Sequence, residues 1–305
     1  MRMHGIMTGA WVLAGGVSAQ ARAVNYDGFA DTAGLTLNGW AGVVETQDGH
    51  VLRLTPASGN SAGSVFSSVQ VDARSFSTAF SFRITEPGGI VFDMNDEAGA
   101  DGIVFVVQRI SNSIGGIGQG IGYDGIGNSL GVEFDTWGNA ANNDPSQSHV
   151  GIVTNGSVNH VRGGVPLPTA NVTDPELDDG DRWWAWIDYD GTTLEVRLAL
   201  DPARPAEPLL AEAIDLPGLL GQATAFVGFT SATGAAWANH DVIDWSYTCY
   251  TVRCAANWDE TCGVDVNDLL AFLGDFRTGS ADFDGDGAVN VNDLLAFLGA
   301  FRIGC

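Results

Sequence analysis

Five side chains within one short stretch have the types and spacing to hold divalent cations: Glu133, Asp135, Asn139, Asp144 and His149. Glu133 and Asp135 sit two apart in Val132-Glu133-Phe134-Asp135-Thr136-Trp137-Gly138-Asn139. On a strand that spacing points both carboxylates to the same side. Asn139, Asp144 and His149 then return along a loop that ends in His149-Val150-Gly151-Ile152. Oxygen donors suit Ca²⁺, whereas carboxylates joined by one imidazole suit Mn²⁺ or another transition ion.

A second oxygen-rich run closes the chain. In Asp282-Phe283-Asp284-Gly285-Asp286-Gly287-Ala288-Val289-Asn290-Val291-Asn292-Asp293, oxygen side chains fall at loop positions 1, 3, 5, 9 and 12, with Gly287 at position 6. This is the spacing by which a loop wraps Ca²⁺, the carbonyl of Ala288 serving as the seventh-position ligand. An earlier copy offers Asn257, Asp259, Asp265 and Asp268, but Thr261 replaces a carboxylate and Cys262 stands where the turn glycine belongs. Fewer charges and a strained turn predict weaker calcium binding there, or a loop remodelled by a disulfide.

The elements that must position these residues follow from periodicity. Between Val24 and Tyr247, short runs rich in Val, Phe, Ile, Trp and Thr alternate in polarity and are separated by Gly, Asn, Asp and Pro. Strands are expected at 76–84, 102–107, 183–189, 193–198 and 225–229. Asp190-Gly191 predicts a hairpin turn, because Gly supplies the positive φ. Many short strands without interleaved helices predict an all-β sandwich. The texture changes after Cys249. Asp268-Leu269-Leu270-Ala271-Phe272-Leu273 recurs as Asp293-Leu294-Leu295-Ala296-Phe297-Leu298, a repeat of 25 residues (293 − 268). Apolar residues at 269, 270, 272, 273 and 276, and again at 294, 295, 297, 298 and 301, form helical stripes. The expected domains are a sandwich at 24–249 and a small helical unit at 254–305.

Composition narrows the function. The chain has 305 residues, with 37 Asp+Glu against 13 Lys+Arg and a formal charge of −24. Nucleic acid is excluded as a partner, since phosphates need Lys and Arg to neutralise them. An acidic excess by itself is consistent with simple solubility; the placement of the carboxylates is what suggests cations. Residues 1–23 read as an export signal: Arg2, a short apolar run from Ile6 to Val17, and small-x-small sites at Ala19-Gln20-Ala21 and Ala21-Arg22-Ala23. No later stretch reaches the ~18 apolar residues of a membrane span. Cys249, Cys254, Cys262 and Cys305 read as two disulfides, with three possible connectivities.

The segment from Val132 to Ile152 resembles the metal-binding signature of L-type (legume-lectin-like) lectins. The resemblance extends over most of 24–247, through FSTAFSFRI (76–84), GADGIVFVVQ (99–108), GGIGQGIGY (115–123), IDYDGTTLEVRL (187–198) and FVGFTSATGAAWANHDVIDWSY (226–247). It implies a concanavalin A-like jelly-roll β-sandwich with a two-ion site. Glu133, Asp135, Asp144 and His149 would hold the transition ion, Mn²⁺ or a relative. Asp135, Asp144, Asn139 and the carbonyl of Trp137 would hold Ca²⁺. The implied saccharide set is Asp101, a glycine of the Gly115-Gly116 pair, Asn139, and Gly234, Ala235 and Trp237 of the loop 233–237. A cis peptide is implied at Ala100–Asp101. The loop-plus-helix repeat, with Asp rather than Glu at loop position 12, resembles the dockerin module and its paired EF-hand-like loops. That resemblance suggests Cys254–Cys305, leaving Cys249–Cys262, and implies a cohesin-like docking partner. The whole is then a secreted bacterial protein, extracellular or at the cell surface, that binds glycans or polysaccharide and is not an enzyme. Homodimers are common in this fold.

The chemistry is coherent without the family. Vicinal hydroxyls of a sugar need a strong acceptor and donors, which Asp101, the Asn139 amide and a glycine N–H supply. Trp137 and Trp237 are candidates to stack on a sugar face, Tyr123 less so, although aromatics in sandwiches are more often core. His240 reads as a structural histidine, and His50 and His160 show no partner pattern. Trp183, Trp184 and Trp186 fit a core strand. A glycoside hydrolase on the same fold is the principal rival, since Glu133-Phe134-Asp135 begins a Glu-x-Asp-x-x-Glu pattern. The third position is Gly138, however, and a metal-bound carboxylate is unavailable as acid or nucleophile. An adhesive scaffold with a sugar-silent sandwich is the other alternative.

Overall fold

Phe76, Phe80, Phe82 and Ile84 are buried while Ser77, Ala79 and Arg83 are less so, the two-residue period of a strand with one face on a core. A computed structural model describes residues 21–91, 98–115, 118–249, 256, 258, 264 and 266–303. In chain order the strands are β1 (Ala21–Tyr26), β2 (Leu35–Gly39), β3 (Gly42–Thr46), β4 (Gly49–Thr55), β5 (Ala62–Ser67) and β6 (Val71–Asp72). Then follow β7 (Phe76–Gly89), β8 (Gly102–Gln108), β9 (Ser129–Asp135), β10 (His149–Thr154), β11 (Val161–Arg162) and β12 (Val165–Pro166). The last six are β13 (Thr169–Asn171), β14 (Arg182–Tyr189), β15 (Thr193–Ala199), β16 (Leu210–Ala213), β17 (Thr224–Ala232) and β18 (Ala236–Cys249). Helices are α1 (Leu216–Leu220), α2 (Val266–Thr278) and α3 (Val291–Ile303).

Two antiparallel sheets result. One runs β16-β15-β14-β7-β18-β4-β3, with β1 also on β18; the other runs β13-β10-β9-β8-β17-β5-β2, with β6 on β17. They meet through aromatic rings: Phe80 of β7 stands edge-on to Phe229 at 4.9 Å and to Phe134 at 5.7 Å, an arrangement ring quadrupoles favour. The second sheet is covered on its other face too. Val104 and Val106 pack there against Ile121, Tyr123 and Ile126 of the glycine-rich segment. All five expected strands form, and Asp190-Gly191 joins β14 to β15 with Gly191 at φ +103°. Strand β1 starts at Ala21, inside the 1–23 span expected for a leader, and pairs there with Cys249. Cys249 is disulfide-bonded; Cys254, Cys262 and Cys305 lie outside the described residues, as does most of the leader.

In the helical tail, Phe272 of α2 and Phe297 of α3 stack at 4.1 Å with ring planes 5° apart. Trp258, Leu269, Phe276, Phe283, Leu294 and Phe301 surround them. The stripes expected at 269–276 and 294–301 divide in the structure. Leu269, Phe272 and Phe276 turn inward with Leu294, Phe297 and Phe301, whereas Leu270, Leu273, Leu295 and Leu298 stay exposed. Among the described residues no helix is long and apolar enough to cross a membrane.

Candidate functional site

Leu130, Val132 and Phe134 of β9 enter the main core, so Glu133 and Asp135 project from the opposite face of the sheet. On the neighbouring strand, Val150 and Ile152 do the same and leave His149 and Gly151 beside the two carboxylates. The register pairs His149 with Asp135 and Gly151 with Glu133. The loop between these strands brings back Asp144, whose Oδ2 accepts the Asn139 N–H at 2.6 Å. Asp135 Oδ1 accepts the Trp137 N–H at 2.7 Å. His149 Nδ1 lies 3.1 Å from the Ser146 carbonyl oxygen, so Nδ1 carries the proton and Nε2 presents a lone pair.

Donor atoms of Asp135, Asp144 and His149 lie within 4.8 Å of one another, as do those of Glu133, His149 and His160. His160 was not expected here. Its Nε2 approaches Glu133 Oε1 at 2.6 Å, His149 Nε2 at 3.0 Å and Asp144 Oδ1 at 3.5 Å. A sequence signal for it does exist, in Gly151. A Cβ at that position would fall 2.5 Å from His160 Cε1 and 2.8 Å from Glu133 Oε1, so only glycine leaves room for the imidazole. A glycine inside a strand pattern marks such close approach.

Electrostatics follow from burial. Desolvation pushes Asp135 well above the usual carboxylate range, with Glu133 and Asp144 adding to the effect. Desolvation likewise raises Asp144 to about 6. Glu133 is desolvated as well, but His149 and His160 outweigh this and lower it. Desolvation lowers His160, yet Glu133 and Asp144 prevail and raise it. Three carboxylates held out of water around two imidazoles are a donor set that fits divalent cations.

Asp101 stands at the next strand end. The peptide Ala100–Asp101 is cis. Asp101 N–H donates to the Ala232 carbonyl at 3.1 Å, and its own carbonyl accepts the Thr136 N–H at 3.1 Å. The residue is therefore tied to both β17 and the start of the loop that carries Asn139 and Asp144. Asp101 is 5% exposed, and its Oδ2 has no hydrogen-bond partner among the described residues. Desolvation raises its carboxyl to about 7. A Cβ on Gly234 would lie 3.9 Å from Asp101 Oδ2 and 3.9 Å from the Gly118 Cα, so Gly234 borders the carboxylate and sits beside Gly118. The turn at Gly234 is braced from behind: Asn60 N–H donates to its carbonyl at 2.9 Å and Thr233 Oγ1 donates to the Ser58 carbonyl at 2.7 Å.

The remaining expected residues are distributed as follows. Gly115 lies against Ser64 of β5, and Gly116 lies outside the described residues. Ala235 is exposed, and Trp237 lays its ring against Gly59, Gly88 and Gly89. Tyr123 is fully buried and bonded to Ser129 Oγ at 2.9 Å, which makes it a core residue. His240, as expected, is structural: buried, with Nδ1 2.7 Å from Thr55 Oγ1.

In the tail loop, Asp282, Asp284 and Asp293 bring oxygens within 4.8 Å of one another. Asp282 accepts Gly285 and Gly287 N–H groups, and buried Asp293 accepts those of Phe283, Asp284 and Asn290. These backbone bonds hold Asp293 below the usual carboxylate range. Asp286 accepts the Ala288 N–H, and Asn290 Nδ2 donates to the Ala288 carbonyl. Asp268, the equivalent of Asp293, is buried at the start of α2; Asn257, Asp259 and Asp265 lie outside the described residues.

A family model described as the legume lectin domain matches residues 21–261. The L-type lectin-domain containing receptor kinase SIT2 of Oryza sativa subsp. japonica is 33% identical over 188 residues, 57% of this chain. The chain spans only 27% of that relative's length. The crystal structure of basic winged bean lectin with Tn-antigen is similar at a TM-score of 0.58 and 27% identity, covering 74% of this chain and 96% of that one. The lumenal domain of VIP36, in a Ca²⁺/Man3GlcNAc-bound form, shares the fold at a TM-score of 0.57 and 16% identity, covering 77% of this chain and 92% of that one.

Proposed function

We propose that this chain, which belongs to the legume lectin (L-type lectin) family and carries its carbohydrate-binding domain on a jelly-roll sandwich, is a secreted lectin whose saccharide pocket is shaped by bound ions. The observation that carries this reading is the tie between the two sites. Asp101, with a buried and unpartnered carboxylate oxygen, accepts a hydrogen bond from Thr136, next to Asp135. Glu133, Asp135, Asp144 and His149 hold the transition ion. Asp135, Asp144, Asn139 and the Trp137 carbonyl hold Ca²⁺. An ion that draws Asp135 and Asp144 together fixes the 136–144 loop, and with it the Asn139 amide, beside Asp101.

The saccharide is held by charge-assisted acceptance at Asp101, by the Asn139 amide and by backbone at Gly115 or Gly116, Gly234 and Ala235. Because Trp237 packs on glycines of the β7–β18 pair and of the 56–61 loop, its contribution is to support the turn. Carboxylates engaged with metal do not serve as acid or nucleophile, so the chain binds and does not hydrolyse. The tail takes Ca²⁺ at 282–293. Its exposed Val266, Leu270 and Leu273 repeat as Val291, Leu295 and Leu298, and these two apolar faces dock a cohesin-like partner.

A glycan array probed with the wild type and with Asp101→Ala tests this reading. The wild type should select a defined set of saccharides and the variant should bind none. A variant that keeps the wild-type pattern overturns it.

A further inference from the structure

We propose that His160 is a direct ligand of the transition ion, giving a centre with two imidazoles that prefers a late first-row ion such as Zn²⁺ over Mn²⁺. The inference rests on the reading that ions occupy the 133–149 cluster, and it adds a residue outside that segment. His149 and His160 point Nε2 at Nε2, 3.0 Å apart, with their rings nearly perpendicular at 77°. Donor atoms of both imidazoles and of Glu133 lie within 4.8 Å of one another, and a metal ion is what such a convergence of nitrogen and oxygen donors accommodates.

Glu133 completes the cradle. His160 Nε2 comes within 2.6 Å of Glu133 Oε1 and His149 Nε2 within 3.4 Å of the same oxygen, so both rings face one buried carboxylate. Glu133 and His160 are almost wholly buried, so bulk solvent does not reach these atoms. The backbone is built around the ring as well. Gly151 has no side chain where any Cβ would strike His160 Cε1, and His160 N–H is held by the Asn142 carbonyl at 2.9 Å. Asn142 belongs to the same loop that carries Asn139 and Asp144. An ion bound by His160 therefore clamps that loop at both ends. Imidazole donors favour Zn²⁺, Ni²⁺ and Cu²⁺, whereas carboxylate and water donors leave room for Mn²⁺.

Zn²⁺ outcompetes Mn²⁺ at most protein sites, so the informative quantity is how the preference changes when one imidazole is removed. The test titrates Zn²⁺ and Mn²⁺ separately into the ion-stripped full chain by calorimetry, with Ca²⁺ saturating. Wild type, His160→Ala, His160→Gln and Asp135→Ala are compared, with circular dichroism confirming the fold. Both His160 variants should lose Zn²⁺ affinity by at least about tenfold, with Mn²⁺ affinity changed far less. Substituted Co²⁺ should change its visible absorption between wild type and variant. An unchanged Zn²⁺-to-Mn²⁺ ratio together with an unchanged Co²⁺ spectrum would overturn the role of His160 and leave the lectin reading standing. A wild type that binds no transition ion, like Asp135→Ala, would overturn both.

Discussion

Gly102 donates its backbone N–H to Nε2 of His240 at 3.2 Å. That bond fixes the tautomer, so His240 Nδ1 donates to Thr55 Oγ1, 2.7 Å away. Thr55 Oγ1 lies 3.0 Å from Ser231 Oγ, which donates to the Gly102 carbonyl at 2.7 Å. The circuit starts and ends on the backbone of Gly102, the residue that follows Asp101. Gly102 itself sits at φ +124°, where a Cβ would lie 2.3 Å from the Phe134 carbonyl oxygen. The strand end that carries Asp101 is thus seated from behind by a neutral histidine.

His240 should make the sandwich acid-sensitive. Burial, helped by the charge of Arg53, lowers it from 6.5 to about 3. Above 6.5 it is neutral in both folded and unfolded chains and adds no pH dependence. As pH falls from 6.5 toward 3 the unfolded chain takes up a proton that the folded one refuses. Stability then drops by about 1.4 kcal/mol per unit from this group. His240→Gln keeps an acceptor for Gly102 and should remove that component. Urea denaturation of wild type and variant between about pH 4.5 and 7 checks this: the difference between the two curves should tilt with pH, and parallel curves would refute it.

Asp101 acts in the opposite sense. Its carboxyl is raised from 3.8 to about 7, so above pH 7 the folded state bears the full cost of a desolvated charge, and the cost fades as pH falls toward 3.8. In ion-stripped protein, Asp101→Asn should therefore stabilise by a few kcal/mol at about pH 8 and by almost nothing near pH 4. Thermal unfolding at the two pH values measures it. A residue that costs stability yet sits at the proposed pocket is what function at the expense of folding predicts.

The shared facing of Glu133 and Asp135 and the ordered strands of the sandwich were legible in the sequence because side-chain alternation along a strand is a local property. The convergence of Asp282, Asp284 and Asp293 is local in the same way, because the three lie within one short stretch. His160 was not legible as a site residue, because the connection after β10, tied to the Asn142 carbonyl, and not local spacing brings it to Glu133, and the only trace was Gly151 inside a strand. Trp237 falls on β18 and not in the expected loop 233–237, paired with Gly88 of β7 with its ring against Gly88 and Gly89, a neighbourhood set by strand pairing that local spacing does not reveal. The helical stripes marked apolar residues correctly without distinguishing inward Phe272 from exposed Leu270.

The tail should be destabilised by Phe297→Ala, which removes the partner stacked on Phe272 and opens a cavity worth about 3–5 kcal/mol. Hydrogen exchange should quicken throughout α2 and α3 while the amides of β7–β10 and glycan binding stay unchanged. Loss of glycan binding would show that the two units are coupled.

In the proposed two-ion site Asp135 supports both ions, so Asp135→Ala should abolish transition-ion binding and weaken Ca²⁺ at the sandwich while the 282–293 loop still takes its own Ca²⁺. Elemental analysis after dialysis should find fewer ions per chain than in wild type. Equal content would remove Asp135 from the site.

The most direct test of ion-shaped recognition is binding of the strongest array glycan to the full wild-type chain before chelation, after EDTA, and after Ca²⁺ with a transition ion is restored. Binding should vanish with EDTA and return with the ions. Undiminished binding in EDTA, with the ions shown to be gone, would contradict it.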